Sequence, residues 1–134
     1  MAIDIDNFIL KAVGVPFVEH GRDYDGWDCW GLCIRAYKDV LGVNLPDFIY
    51  TDTAAYKALK SNFETRSGGF WQSAAPGDMS VACIFRRGLV IHAGLSIGRK
   101  ILHVEKGIAT CLEPAKKMRI EGYYEPTSHA AASV

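Results

Sequence analysis

Leu89-Val-Ile-His-Ala-Gly-Leu-Ser-Ile-Gly-Arg-Lys-Ile-Leu-His-Val-Glu105 is the stretch whose reading decides the fold. Gly98-Arg99 separates two runs of apolar residues, and glycine at the first of two turn positions suits a type II′ hairpin. That turn sets Ile97 opposite Lys100, Leu95 opposite Leu102, Gly94 opposite His103, Ala93 opposite Val104 and His92 opposite Glu105. One face then carries Ile91, Ala93, Leu95, Ile97, Leu102 and Val104, which is a core face. The other, more polar, carries His92, Gly94, Ser96, Ile101, His103 and Glu105. The two histidines are diagonal neighbours on it, within reach of each other. Gly94 leaves room opposite His103. A slip of one residue would break both patterns together.

Strand signals continue on either side. Ala75-Pro-Gly-Asp78 reads as a turn, Met79–Phe85 as an apolar strand, Arg86-Arg-Gly88 as the next turn and Arg119–Tyr124 as a last strand. Upstream the period changes. Asp4 or Asp6 caps a helix whose apolar residues Phe8, Ile9, Ala12 and Val13 share a stripe, and Gly14 and Pro16 stop it. Asp28 is the N-cap of a second helix, Cys29 to Leu41, with Cys29, Cys33, Ala36, Tyr37 and Val40 on one stripe and Gly42 closing it. A third helix is expected from about Asp52 to Asn62, with Ala55, Tyr56 and Leu59 facing inward. Helices first and strands afterwards predict an α+β domain with an antiparallel sheet.

The 134 residues suit one domain, taken as 1–125 with a frayed tail over 126–134. Fifteen basic and fifteen acidic side chains cancel, which argues against a nucleic-acid partner. No apolar run reaches the roughly 18 residues of a membrane span, and the first ten residues have neither the basic region nor the cleavage site of a signal peptide. The expectation is synthesis in the cytoplasm without membrane insertion. Four cysteines, at 29, 33, 83 and 111, are then thiols, with Cys83 and Cys111 in apolar runs that read as core.

Cys29 differs from them because it opens a helix. Unpaired backbone N–H groups and the helix dipole favour a thiolate there, but the dipole supplies only about 0.3–1 kcal/mol. A thiol with a pKa of ~8.5 needs an imidazole partner to ionise at neutral pH. His92 fills that role as base, with His103 or Glu105 to orient it, the logic of a cysteine hydrolase. Cys29, Cys33, His92 and His103 also have the ligand chemistry for tetrahedral zinc, but their spacing matches no common finger or ribbon. We therefore expect no metal and no cofactor. Asp28, Trp30 and Tyr24 are candidate substrate contacts beside the nucleophile.

The stretch from Gly14 to Leu32, with Asp28-Cys-Trp-Gly-Leu32 at its end, resembles the catalytic region of NlpC-like cell-wall cysteine peptidases. It is most similar to their phage tail-associated branch. Ala75-Pro-Gly-Asp78 resembles the turn into that family's first core strand, and His92-Ala-Gly-Leu-Ser-Ile-Gly98 and Ile101-Leu-His103 resemble its histidine strands. The resemblance implies a papain-like domain with Cys29 as nucleophile, His92 as base and His103 as orienter. It also implies peptidoglycan stem peptides as substrate, cut between D-glutamate and a diamino acid, and a phage or prophage tail location with other tail proteins as partners. Two positions depart from the family. Phe17 stands where members often carry a tyrosine whose hydroxyl serves near the oxyanion, which leaves Tyr24 as a replacement. Trp30 stands where many carry a serine that binds the substrate's amino end. The alternatives are a tail-assembly protein without activity on the same fold, and an amidase or acyl-transfer enzyme.

Overall fold

The computed structural model describes residues 3–47, 71–86 and 89–127. The helix expected over 52–62, Tyr56 and His129 lie outside them. Asp4 does cap the first helix, α1 (Ile5–Ala12), its carboxylate accepting from Asn7 N at 2.8 Å. Phe8 and Ala12 face the core, whereas Val13 is exposed. A short ribbon follows, β1 (Arg22–Asp23) and β2 (Gly26–Trp27), and then α2 (Cys29–Ala36). Beyond Ala36 the expected helix loosens into a π-helical turn, Tyr37–Leu41, closed by Gly42 in the left-handed region at φ 69°.

Among the described residues the main sheet has six strands in the order β3-β8-β4-β5-β6-β7. They are β3 (Trp71–Ser73), β4 (Val81–Arg86), β5 (Leu89–Ile97), β6 (Lys100–Glu105), β7 (Ile108–Pro114) and β8 (Ile120–Pro126). Every pairing is antiparallel. The β5–β6 register is the one the hairpin turn dictates, with Leu95 opposite Leu102, Ser96 opposite Ile101 and Ile97 opposite Lys100. Gly98 has φ 60° and Arg99 is not left-handed, the combination a type II′ turn requires.

Two strand boundaries and the strand count differ from the sequence pattern. β4 starts at Val81 rather than Met79, because Asp78 and Met79 both take positive φ (51° and 69°) to complete the preceding turn. β8 runs on to Pro126, which pairs with Trp71, so this residue belongs to the sheet rather than to the tail. β3 and β7 were not expected.

The helices cover one sheet face. Val81, Cys83, Ala93, Leu95, Leu102 and Val104 pack there with Phe8, Trp27, Trp30 and Cys33 in one cluster. The opposite face is not left to water. Ala82, Ile84 and Ile101 form a second cluster, with Ala115, Met118, Ile120 and Tyr123 packed against it. Ser96, His92 and His103, on the hairpin face read as polar, are buried too. No helix among the described residues is long and apolar enough to cross a membrane.

Candidate active site

Cys29 is the first residue of α2, and the cap that starts this helix is unusually well tied. The buried Asp28 carboxylate accepts from Gly31 N at 2.7 Å, from His20 N at 3.1 Å and from Arg22 Nη1 at 2.8 Å. The loop comes so close to the helix that a Cβ on Gly31 would lie 2.1 Å from Gly21 O. Glycine is required there by space. Cys29 itself is 5% exposed, at the edge of the core. Burial first, with the neighbouring Cys29, Cys83 and Asp28 adding to it, pushes the Cys33 thiol well up, so Cys33 stays a neutral packing residue.

α2 packs against β5 and β6, the two strands that carry the histidines. His92 Nε2 lies 2.9 Å from His103 Nδ1, and both rings are buried. They meet edge to face, with centroids 5.1 Å apart. Gly94 permits this packing, since a Cβ there would come within 3.2 Å of His103 Cβ and 2.6 Å of Ile101 Cγ2. The far nitrogen of His103, Nε2, is 3.0 Å from Glu113 Oε1 on β7. Glu105 stands further off, its Oε1 3.6 Å from His103 Nδ1 and 3.8 Å from His92 Nε2. The histidine pair can hand a proton along a line, with a carboxylate at its end.

The polar atoms of the three expected substrate contacts each have partners within the fold. Asp28 spends its carboxylate on the cap. Trp30 is fully buried, tilted against Trp71, and its indole N–H donates to Pro46 O at 2.8 Å. Tyr24 donates to Asp39 Oδ2 at 2.6 Å, and burial first, with this bond to the Asp39 carboxylate adding to it, raises its pKa. Asp39 lies ten residues beyond Cys29 along the same helical run, about 15 Å at the α-helical rise. The Tyr24 hydroxyl is therefore anchored near the far end of the helix from the thiol. Phe17 is half-buried and bridges Trp27 through its backbone.

Two groups among the described residues bring metal-ligand atoms within 4.8 Å of one another: His92, His103 and Glu105, and His103, Cys111 and Glu113. Neither is the cysteine-rich set considered from the sequence.

The NlpC/P60 family model matches residues 14–127. The chain belongs to the NlpC/P60 family. Among solved structures it is similar to the NlpC/p60 domain of the peptidoglycan hydrolase SagA, at 16% identity and a TM-score of 0.62, covering 92% of this chain and 99% of that one. It is also similar to a lipoprotein-like NLP/P60 protein of Staphylococcus aureus subsp. aureus Mu50, at 16% identity and a TM-score of 0.57, covering 93% of this chain and 43% of that one. No curated protein matches the sequence. The α+β, papain-like architecture expected from the sequence is thus the NlpC/P60 fold.

Two residues that shape this NlpC/P60 site were not expected from the sequence, Arg22 and Glu113. Glu113 was within reach of the diagonal-neighbour rule that links His92 to His103. Cys111 is opposite His103 in β7, and Glu113 is two residues further along. What concealed it is the Lys106-Gly107 connection, a weak hairpin signal compared with Gly98-Arg99.

Proposed function

We propose that this chain is a cysteine endopeptidase acting on peptidoglycan stem peptides, with Cys29 as nucleophile, His92 as general base and His103 as its orienter. Membership of the NlpC/P60 family supports cell-wall peptidase activity. The observation that carries the assignment of roles is the buried 2.9 Å contact between His92 Nε2 and His103 Nδ1, on strands against which the Cys29 helix packs. With Nε2 turned to His103, Nδ1 of His92 is the nitrogen for the thiol proton. Cys29 Sγ attacks a peptide carbonyl carbon, His92 takes the proton and returns it to the leaving amine, and N–H groups at the start of α2 stabilise the oxyanion. Water then releases the acyl group from sulfur by the same base. The bond we assign is that between D-glutamate and a diamino acid. The setting we assign is a phage or prophage tail, the chain being made in the cytoplasm and carried with other tail proteins.

Defined muropeptides incubated with the purified chain, with products identified by mass spectrometry, test this. Cys29→Ala and His92→Ala are each expected to lower turnover by about 10³-fold or more. Near-wild-type turnover in either refutes the mechanism. A product other than the D-glutamyl cleavage pair points to an amidase or acyl-transfer reaction.

A second reading, a tail-assembly protein without activity, draws on one observation. Phe17 has no hydroxyl, and that of Tyr24 is held by Asp39. Selective alkylation of Cys29 by iodoacetamide below pH 7 counts against that reading, and an ordinary thiol profile favours it.

A further inference from the structure

The line of contacts at the histidines fixes more than their positions. A carboxylate only accepts hydrogen bonds. His103 Nε2, 3.0 Å from Glu113 Oε1, must therefore carry the proton of that contact. A neutral His103 protonated at Nε2 has a bare Nδ1. That nitrogen, 2.9 Å from His92 Nε2, then accepts, and His92 Nε2 donates. A neutral His92 protonated at Nε2 has its lone pair at Nδ1. The position of one proton on His92 is thereby decided two residues away.

From this geometry we infer that Glu113 is a positioning residue that fixes the tautomer of His103 and, through it, leaves Nδ1 of His92 as the basic nitrogen. The catalytic consequence rests on the peptidase function proposed above, whereas the protonation pattern rests on the contacts alone. Other charged and titratable groups face the pair. Glu105 on β6 stands 3.6 Å from His103 Nδ1, and Cys111 on β7 has its sulfur 3.8 Å from Glu113 Oε1. Glu105 lies beyond hydrogen-bond distance of either inner nitrogen in these contacts, so it biases charge there and Glu113 sets direction. His103 is fully buried, so in the intact fold its Nε2 meets the carboxylate and not bulk water. Glu113 is 40% exposed at its side chain, which makes it replaceable without emptying the core.

The test is long-range ¹⁵N–¹H correlation on the histidine-labelled full chain, with Glu113→Ala and Glu113→Gln beside the wild type. In the wild type His103 is expected to be protonated at Nε2 and bare at Nδ1. Glu113→Ala is expected to mix the tautomers and to lower kcat at least about tenfold while KM stays within about twofold. Glu113→Gln keeps an accepting oxygen and is expected to recover most of both. A wild-type His103 protonated at Nδ1, as the other tautomer or as imidazolium, overturns the inference. So does a Glu113→Ala chain with wild-type tautomer and kcat, or a glutamine that restores neither. If the wild type cleaves no muropeptide, or Cys29→Ala cleaves as well as it does, the ring nitrogens still report on Glu113, so the two failures are distinguishable.

Discussion

Replacing Asp28 by alanine separates a structural from a substrate-binding role at the start of α2. The carboxylate satisfies Gly31 N, His20 N and Arg22 Nη1 at 2.7, 3.1 and 2.8 Å, at a side chain 3% exposed. Loss of the cap alone costs about 1 kcal/mol. A partly buried His20 N–H left without an acceptor adds about 1–2 kcal/mol. Arg22 is cheaper to strand than a fully buried cation, because it is 22% exposed and retains Gly21 O and Asp47. We give it about 0.5–1 kcal/mol, well under the ~3–5 kcal/mol of a fully buried broken pair. The sum is about 3 kcal/mol, a large fraction of the ~5–15 kcal/mol that holds a domain of this kind together. In urea, with a slope of ~2 kcal/mol/M, the midpoint falls by about 1.5 M. Asp28→Asn keeps one oxygen for Gly31 N but turns an amide toward a donor, and is expected to lose about half as much. Asp4→Ala, which removes an exposed cap, serves as the reference at about 1 kcal/mol or less. A midpoint shift under about 0.3 M for Asp28→Ala, accompanied by lost peptide turnover, would refute this reasoning and return Asp28 to the substrate.

Gly94→Ala is expected to destabilise the chain by about 1–3 kcal/mol, since the new methyl meets Ile101 Cγ2 at 2.6 Å and the Leu102 carbonyl oxygen at 3.1 Å. Because His103 Cβ is the third neighbour, kcat is expected to fall further than thermal stability alone explains, and a neutral melting temperature would count against the packing described. Stability is also expected to fall in alkali. Burial raises the pKa of Cys33 and of Tyr37 in the fold, so above the ordinary thiol and phenol ranges (~8.5 and ~10) the folded chain holds more protons than the unfolded one. The contribution is present in full below about pH 8.5 and is lost as pH rises, at up to ~1.4 kcal/mol per unit per group. Urea midpoints at pH 7.5 and 9.5 check it, and Cys33→Ala is expected to flatten the first part of the decline.

How much of this was legible in the sequence depended on whether local pattern or tertiary contact fixed each residue. The β5–β6 register follows from alternation and one glycine turn, both local, and so did the pairing of the two histidines. The helix start at Cys29 was legible for the same reason, Asp28 being a cap by type and place. The partner of the Tyr24 hydroxyl was not legible, because nearness in sequence to Cys29 says nothing about it, and a residue ten positions beyond Cys29 captures it. The full burial of Trp30 was not legible, because an aromatic beside a nucleophile is equally suited to packing, and Trp71, forty-one residues later, supplies a ring partner. β3 is three residues long and is defined by its pairing with β8, so its own pattern carries little signal.

Thr110 holds together parts of the chain that are made far apart. Its hydroxyl accepts from Trp27 Nε1 at 2.8 Å and donates to Val15 O at 2.9 Å, and its backbone bonds both Gly14 and Val15. The hydroxyl bond to Val15 closes a loop of 95 residues. By chain entropy this costs about 2 kcal/mol more than a ten-residue closure. The segment leading to α2 is therefore anchored only after most of the sheet has been synthesised. Local turns close at a much smaller entropic cost, and the clasp at Thr110 is a contact of the long-range kind that slows folding.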